Sequence, residues 1–184
     1  GEGYTNGPPA VGLTNVSGSG NGAGGTVTIT ANTSSNILLN TVDLSSAGSF
    51  VLNSAFNDTV QLLGNISNAN GVDQNGAVEV TLGSSSISGT FAIGTAGLTG
   101  LDFEGDIILQ QNSDLTSGGG MRIGGIIDSF SSTDPKSITL KSTSSGLVQT
   151  DGEIGSNNIL KSFTADATNT GFVTIQDTVN SDSI

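Results

Sequence analysis

The chain has 184 residues, and its 16 acidic and 4 basic residues give it a formal net charge of −12. It contains no Cys, His or Trp, which excludes disulfide bonds, thiolate metal sites and histidine chemistry. Nucleic acids and anionic membranes are poor partners for a chain with so few basic residues.

The composition indicates a folded β protein. Hydrophobic residues make up 34% of the chain and charged residues only 11%, whereas disordered chains are rich in charge and poor in β-branched residues. The apolar residues are mainly Val, Ile, Leu and Phe, placed singly between Gly, Ser, Thr and Asn. We therefore expect one all-β domain with many short strands.

The first 24 residues differ from the rest. Residues 1–24 contain Pro8 and Pro9 and then a Gly/Ser run, which is the composition of a flexible arm or linker. We therefore predict an N-terminal arm over residues 1–24 and a β-solenoid over residues 25–184. The chain starts at Gly1 rather than Met, so we expect that a leader was removed or that the chain is a fragment. No apolar run has the length of a signal sequence or membrane span.

From Thr26 onward, apolar residues alternate with small polar residues, which is the pattern of β-strands. The first segment, Thr26–Thr30, places Val27 and Ile29 on one face. The same pattern returns in five further segments: Ser49–Asn53, Ala77–Leu82, Asp106–Leu109, Ser137–Leu140 and Gly171–Ile175. Gly or Asn interrupts every longer window, so we expect no helices.

The spacing of these segments predicts the fold. Their first inward residues are 23, 28, 29, 31 and 35 positions apart: Val27, Phe50, Val78, Ile107, Ile138 and Val173. Further apolar residues follow within each unit, first at Ile37, Val60, Ile87 and Val148, then at Val42, Ile66, Ile93, Ile123 and Ile154. Units of this length with three short strands are typical of a parallel β-helix, or β-solenoid. About six coils would form a rod roughly 29 Å long. A β-sandwich is the alternative fold.

A second repeat supports the same fold. Three segments, Ala92-Ile-Gly94, Arg122-Ile-Gly124 and Glu153-Ile-Gly155, are 30 and 31 residues apart. Each is followed by an apolar residue and then by a strand segment. We expect these three segments to occupy equivalent positions in successive coils.

Between residues 152 and 175, Gly152-Glu-Ile-Gly155, Leu160-Lys-Ser-Phe163 and Gly171-Phe-Val-Thr-Ile175 follow one another. These motifs resemble the repeats of filamentous-haemagglutinin-like bacterial surface proteins, and the resemblance covers about residues 77–180. It implies a right-handed parallel β-helix that is displayed on the cell or released from it, usually as an adhesin or a fibre.

The densest acidic cluster lies between residues 101 and 106. If Leu101 and Phe103 face inward, then Asp102, Glu104 and Asp106 would line one outer face about 7 Å apart. Carboxylate oxygens are ligands that Ca²⁺ prefers. The alternative is a solvated surface that carries the general negative charge, and the sequence assigns no metal, cofactor or catalytic site.

The sequence argues against an enzyme, although β-helices often host polysaccharide lyases and glycosidases. Lyases of that kind use Arg or Lys as the base, and this chain has only Arg122, Lys136, Lys141 and Lys161. Glycosidases need two carboxylates across a groove, and aromatic platforms for sugars are scarce here. If the chain were an enzyme of this class, it would cleave a polysaccharide, and substitution of Asp102 or Glu104 would abolish the cleavage.

Two further motifs carry little weight. N-glycosylation sequons occur at Asn15, Asn32, Asn57 and Asn65, about as many as this composition produces by chance. Three threonines on one face of Thr26–Thr30 resemble an ice-binding array. The later segments do not repeat them, so we do not expect ice binding.

The predicted function is structural. No helix or Pro-rich cap follows the last strand segment, and repeat proteins normally cap their ends. We expect a non-enzymatic extracellular protein without cofactors that assembles head to tail into a filament or surface fibre. The contacts would run between copies, through the N-terminal arm and the last coil. The alternative is a stalk or binding segment of a large secreted adhesin, with glycans or cell surfaces as partners and no membrane insertion.

Overall fold

Strands joined by turns and loops make up the described structure, a computed structural model. It describes residues 10–13, 16–17, 26–30, 36–43, 49–53, 59–76, 78–84, 90–144, 146–168 and 171–184. In chain order the strands are β1 (Ala10–Leu13), β2 (Val16–Ser17), β3 (Thr26–Thr30), β4 (Asn36–Leu39), β5 (Val42–Asp43), β6 (Ser49–Asn53), β7 (Thr59–Leu62), β8 (Ile66–Asn75), β9 (Val80–Leu82), β10 (Thr90–Phe103), β11 (Ile107–Leu109), β12 (Asn112–Ser117), β13 (Met121–Ile123), β14 (Ile127–Ser129), β15 (Ser137–Ser142), β16 (Val148–Thr150), β17 (Ser162–Ala167) and β18 (Val173–Ile175). None of these ranges contains a helix with the length and hydropathy of a transmembrane span.

The strands wind through three faces, and neighbouring coils pair in parallel. The first face is a six-stranded sheet in the order β1-β4-β7-β9-β11-β14. The second face contains β2, β5, the first parts of β8 and β10, β12, β15 and β17. The third face contains β3, β6, the last parts of β8 and β10, β13, β16 and β18. Since β8 and β10 continue around the corner, the second and third faces join in one twelve-stranded sheet. This is a parallel β-solenoid, which confirms the predicted fold class.

Apolar residues stack in columns that run along the axis of the solenoid. On the first face, one buried column contains Ile37, Val60, Val80, Ile107, Ile127 and Ile154, and the next contains Leu39, Leu62, Leu82 and Leu109. Phenylalanines fill the interior from the other faces: Phe50, Phe103 and Phe163 are each at most 1% exposed. One coil alone could not bury its inward side chains, so the stacking of coils creates the core.

Glycines form the corner between the third and first faces. Gly105, Gly125 and Gly152 each stand two residues before a buried isoleucine of the first face. A Cβ at Gly105 would overlap the carbonyl oxygen of Val78, and a Cβ at Gly152 would lie 2.6 Å from the backbone of Gly125. A side chain at any of these three glycines would overlap the backbone of the preceding coil, whereas the same column has Val78 before them and Asp177 after them.

The predicted spacing of the coils is correct only at its first step. Val27 pairs in register with Phe50, but Phe50 pairs next with Val72 rather than Val78. The other members of the predicted column lie on three different faces: Val78 and Ile107 on the first, Ile138 on the second and Val173 on the third. The coil count also differs slightly from six, since the third face contains seven strand segments.

The predicted Ile-Gly repeat is wrong as a set of equivalent positions. Ile93 lies on the second face, Ile123 on the third and Ile154 on the first. At the N-terminal end, β1 and β2 fall within the predicted arm and pair in parallel with β4 and β5. The rest of the predicted arm lies outside the described residues.

Candidate functional site

An ion-paired cluster lies on the outer side of the third face. The Arg122 Nη1 atom lies 3.2 Å from a carboxylate oxygen of Asp102, and its Nε atom lies 2.9 Å from a carboxylate oxygen of Asp151. Asp102 and Arg122 are in register on neighbouring strands, and Asp151 follows the next strand, β16. Gln149 and Gln176 donate hydrogen bonds to the other Asp151 oxygen, at 2.5 Å and 2.8 Å.

The two aspartates hold the guanidinium in its charged form. Partial desolvation alone would lower the pKa of Arg122, but hydrogen bonds to and the charges of Asp102 and Asp151 outweigh it and raise the pKa above its ordinary value. The side chain of Arg122 remains 44% exposed. The Arg122 guanidinium thus links three coils through its two ion pairs, and these contacts do not depend on a bound ligand.

The acidic cluster does not line one outer face, so the predicted geometry is wrong. The strand that carries Asp102 ends at Phe103, and the chain then turns at the corner glycine. Glu104 accepts a hydrogen bond from the Gly76 N–H at 2.7 Å, and Asp106 accepts one from the Ile126 N–H at 3.0 Å. Each carboxylate therefore serves a different contact.

Asp102, Glu104 and Asp106 thus have different hydrogen-bond partners. Within the described ranges, no three acidic side chains are grouped so that they could hold a metal ion. Two lysines are also in ion pairs: the Lys136 Nζ atom lies 2.6 Å from Asp134, and the Lys141 Nζ atom lies 3.5 Å from Asp166.

Of the four sequons, only Asn65 lies in the described structure. Its side-chain oxygen accepts a hydrogen bond from the Ala92 N–H at 2.8 Å, which links two coils at a corner. Asn15, Asn32 and Asn57 lie outside the described residues.

The threonine array of β3 does not continue along the rod. In register, Thr28 meets Val51 and then Asp73, and Thr30 meets Asn53 and then Asn75. The strands beside β3 thus replace the threonines with other residues, as the sequence predicted.

A groove on the third face was not predicted from the sequence. Gly71, Gly100 and Gly120 each precede the first inward residue of a third-face strand, and adjacent coils bring them together. We call these three residues the glycine groove. It holds two adjoining cavities of about 380 and 290 Å³, which share Asp102 as a lining residue. In the sequence, each of these glycines stands directly before the first apolar residue of its strand segment. This repeated pair is the signal from which the groove could have been predicted.

Comparisons of the sequence with protein-family models, curated proteins and solved structures found no match. The described geometry of the rod and its third face therefore carries the functional argument.

Proposed function

We propose that the chain is a non-enzymatic extracellular structural protein that assembles head to tail into a filament or surface fibre. One observation carries the proposal. Val173 and Ile175 are 42% and 37% exposed, although the residues that they pair with in register, Val148 and Thr150, are each 1% exposed. The last coil thus presents inward-type side chains to solvent, where a further coil would bury them.

The first coil offers a matching edge. Among the described strands, β1 pairs only with β4 and β3 pairs only with β6, so each lacks a second neighbour in that part of the chain. Because the strands of neighbouring coils are parallel, the strands at both ends of the rod run in the same direction. The first coil of one copy can therefore pair in parallel with the last coil of another. Such a contact joins different surfaces of the two copies and propagates without closing.

The charge of the chain is compatible with a fibre. A net charge of −12 on 184 residues keeps the rods hydrated and opposes their non-specific bundling. The end strands themselves are free of charge: β3 has the sequence Thr-Val-Thr-Ile-Thr and β18 has Val-Thr-Ile. Stacking at the ends therefore brings together few like charges. The richness in Ser, Thr, Asn and Gly supports an extracellular location.

The alternative function is a stalk or binding segment of a large secreted adhesin. The same exposed side chains of β18 favour it, because additional coils of a longer chain would cover Val173 and Ile175 equally well. In that case the purified chain would remain a single short rod, and a solvent-facing side of the solenoid would contact glycans or cell surfaces.

Electron microscopy and sedimentation of the purified chain test the proposal, in chelator and in millimolar Ca²⁺. We expect filaments in both conditions. Ile175→Lys places a charge on the exposed edge and should abolish them. Thr174→Lys is the matched control, because it adds the same charge one residue away on the outward side of the same strand. Dispersed rods from the unaltered chain in both conditions would contradict the filament and favour the adhesin segment.

A further inference from the structure

One column of residues on the third face changes along the rod from small to large. In each third-face strand from β6 onward, the column contains the residue directly before the first inward position. These residues are Ser49, Gly71, Gly100, Gly120, Leu147 and Phe172. Gly71 and Gly100 are buried and line the larger cavity of the groove. Leu147 and Phe172 are 39% and 73% exposed, so the column combines a groove with two apolar projections.

We propose that two copies of the chain pair side by side and antiparallel through this face. In the pair, Phe172 and Leu147 of each copy insert into the glycine groove of the other. Exposed aromatic side chains that fill a pocket on a partner are the usual energetic centre of an interface. The pairing is lateral and does not depend on the head-to-tail contact of the proposed filament.

The order of the column makes the face complementary to itself. Gly120 stands in the middle, with two glycines on one side and two large apolar residues on the other, at one strand spacing of about 4.8 Å per step. A two-fold axis at Gly120 places Leu147 opposite Gly100 of the second copy, and Phe172 opposite Gly71. A two-fold contact requires one patch to fit itself, and this column meets that condition.

The neighbouring outward column is compatible with the same axis. It runs Asp73, Asp102, Arg122, Gln149 and Thr174 in register. The axis places Asp73 opposite Thr174 and Asp102 opposite Gln149. In the next outward column it places Glu104 opposite Asp151, the carboxylate that is paired with Arg122. Arg122 faces Arg122 of the second copy, but within each copy Asp102 and Asp151 already balance the charge of the guanidinium.

Single cysteines test the pairing, since the natural chain has no Cys. Gly120→Cys should form a disulfide-linked dimer, because the axis brings position 120 of the two copies together. A Cβ at Gly120 would lie no closer than 3.5 Å to its nearest neighbour, the Leu147 carbonyl oxygen, so the fold accepts it. Gly94→Cys is the control: it lies on the second face and its Cβ would meet nothing within 4 Å. We expect dimer to form on the order of a hundredfold faster from Gly120→Cys.

A second substitution shows whether the apolar projections drive the pairing. Phe172→Ser in the Gly120→Cys chain should slow disulfide formation to the rate of Gly94→Cys, whereas Ile184→Ser, which removes an exposed apolar side chain elsewhere, should not. Equal rates for Gly120→Cys and Gly94→Cys, or no dimer from either, would overturn the proposal. Head-to-tail filaments do not bring two Gly120 residues together, so loss of filaments leaves this result unchanged.

Discussion

Gln74, which is fully buried, accepts a hydrogen bond from the Gly105 N–H through its side-chain carbonyl at 2.9 Å. Its amide group also donates to the Gly76 carbonyl at 2.7 Å. Gln74 occupies an inward position between Leu52 and Phe103, where neighbouring coils have apolar residues. An amide in the core thus ties two successive corners together.

Gln74→Leu should lower the free energy of unfolding by about 1–3 kcal/mol, because the buried Gly105 N–H would lose its partner. Urea unfolding followed by circular dichroism measures the change. Gln176→Leu is the control, since Gln176 is exposed and its loss should cost much less. If both variants have the stability of the unaltered chain, the amide contributes nothing at this corner.

The same residue explains why the spacing of the coils could not be predicted. The columns are correct where every inward residue is apolar: Ile37 stacks with Val60, and Val42 with Ile66. The strand around Val72 has Gln74 at its second inward position, so hydrophobic alternation does not mark it. The alternation resumes around Val78, and a column that continues there places every later position on another face.

The corner glycines would have supplied the missing register. Gly105, Gly125 and Gly152 each precede a first-face isoleucine by two residues, and at each of them a Cβ would overlap the neighbouring coil. The same corner explains the acidic cluster. Strand alternation predicts Asp102, Glu104 and Asp106 on one side, but the strand ends at Phe103, where the corner begins. The alternation of residues predicts strands, but the corners decide which strands meet.

Thr150→Val should stabilise the chain. The Thr150 hydroxyl is buried and has no hydrogen-bond partner among the described residues, so its removal ends a desolvation cost while the β-branched shape remains. We expect the free energy of unfolding to rise by about 1 kcal/mol. Thr139→Val, on the outward side of β15, should leave stability unchanged. A loss of stability in Thr150→Val would mean that the hydroxyl is satisfied, for example by a buried water.

Gly105→Ala should destabilise the fold by about 3 kcal/mol or more, because the new methyl group would overlap the backbone of Val78 and force the coils apart. Gly94→Ala provides the comparison, since its methyl group would enter open space and alanine restricts the unfolded chain. Thermal unfolding of both variants measures the difference. Equal melting temperatures would show that the corner can relax without cost.

The ion pairs of Arg122 should contribute little, and their contribution should depend on salt. Arg122→Met removes contacts to Asp102 and Asp151, but the side chains of Arg122 and Asp102 are 44% and 47% exposed. We expect a loss of at most about 1 kcal/mol at low ionic strength.

At about 1 M NaCl the difference between Arg122→Met and the unaltered chain should nearly vanish, because the Debye length falls to roughly 3 Å. Lys141→Met is the control: its single contact to Asp166 is longer, at 3.5 Å, and similarly exposed, so its loss should be smaller. Urea unfolding at both salt concentrations gives the four values needed for each variant and its reference. A loss for Arg122→Met that stays constant with salt would assign its effect to the packing of the side chain over the third face rather than to its charge.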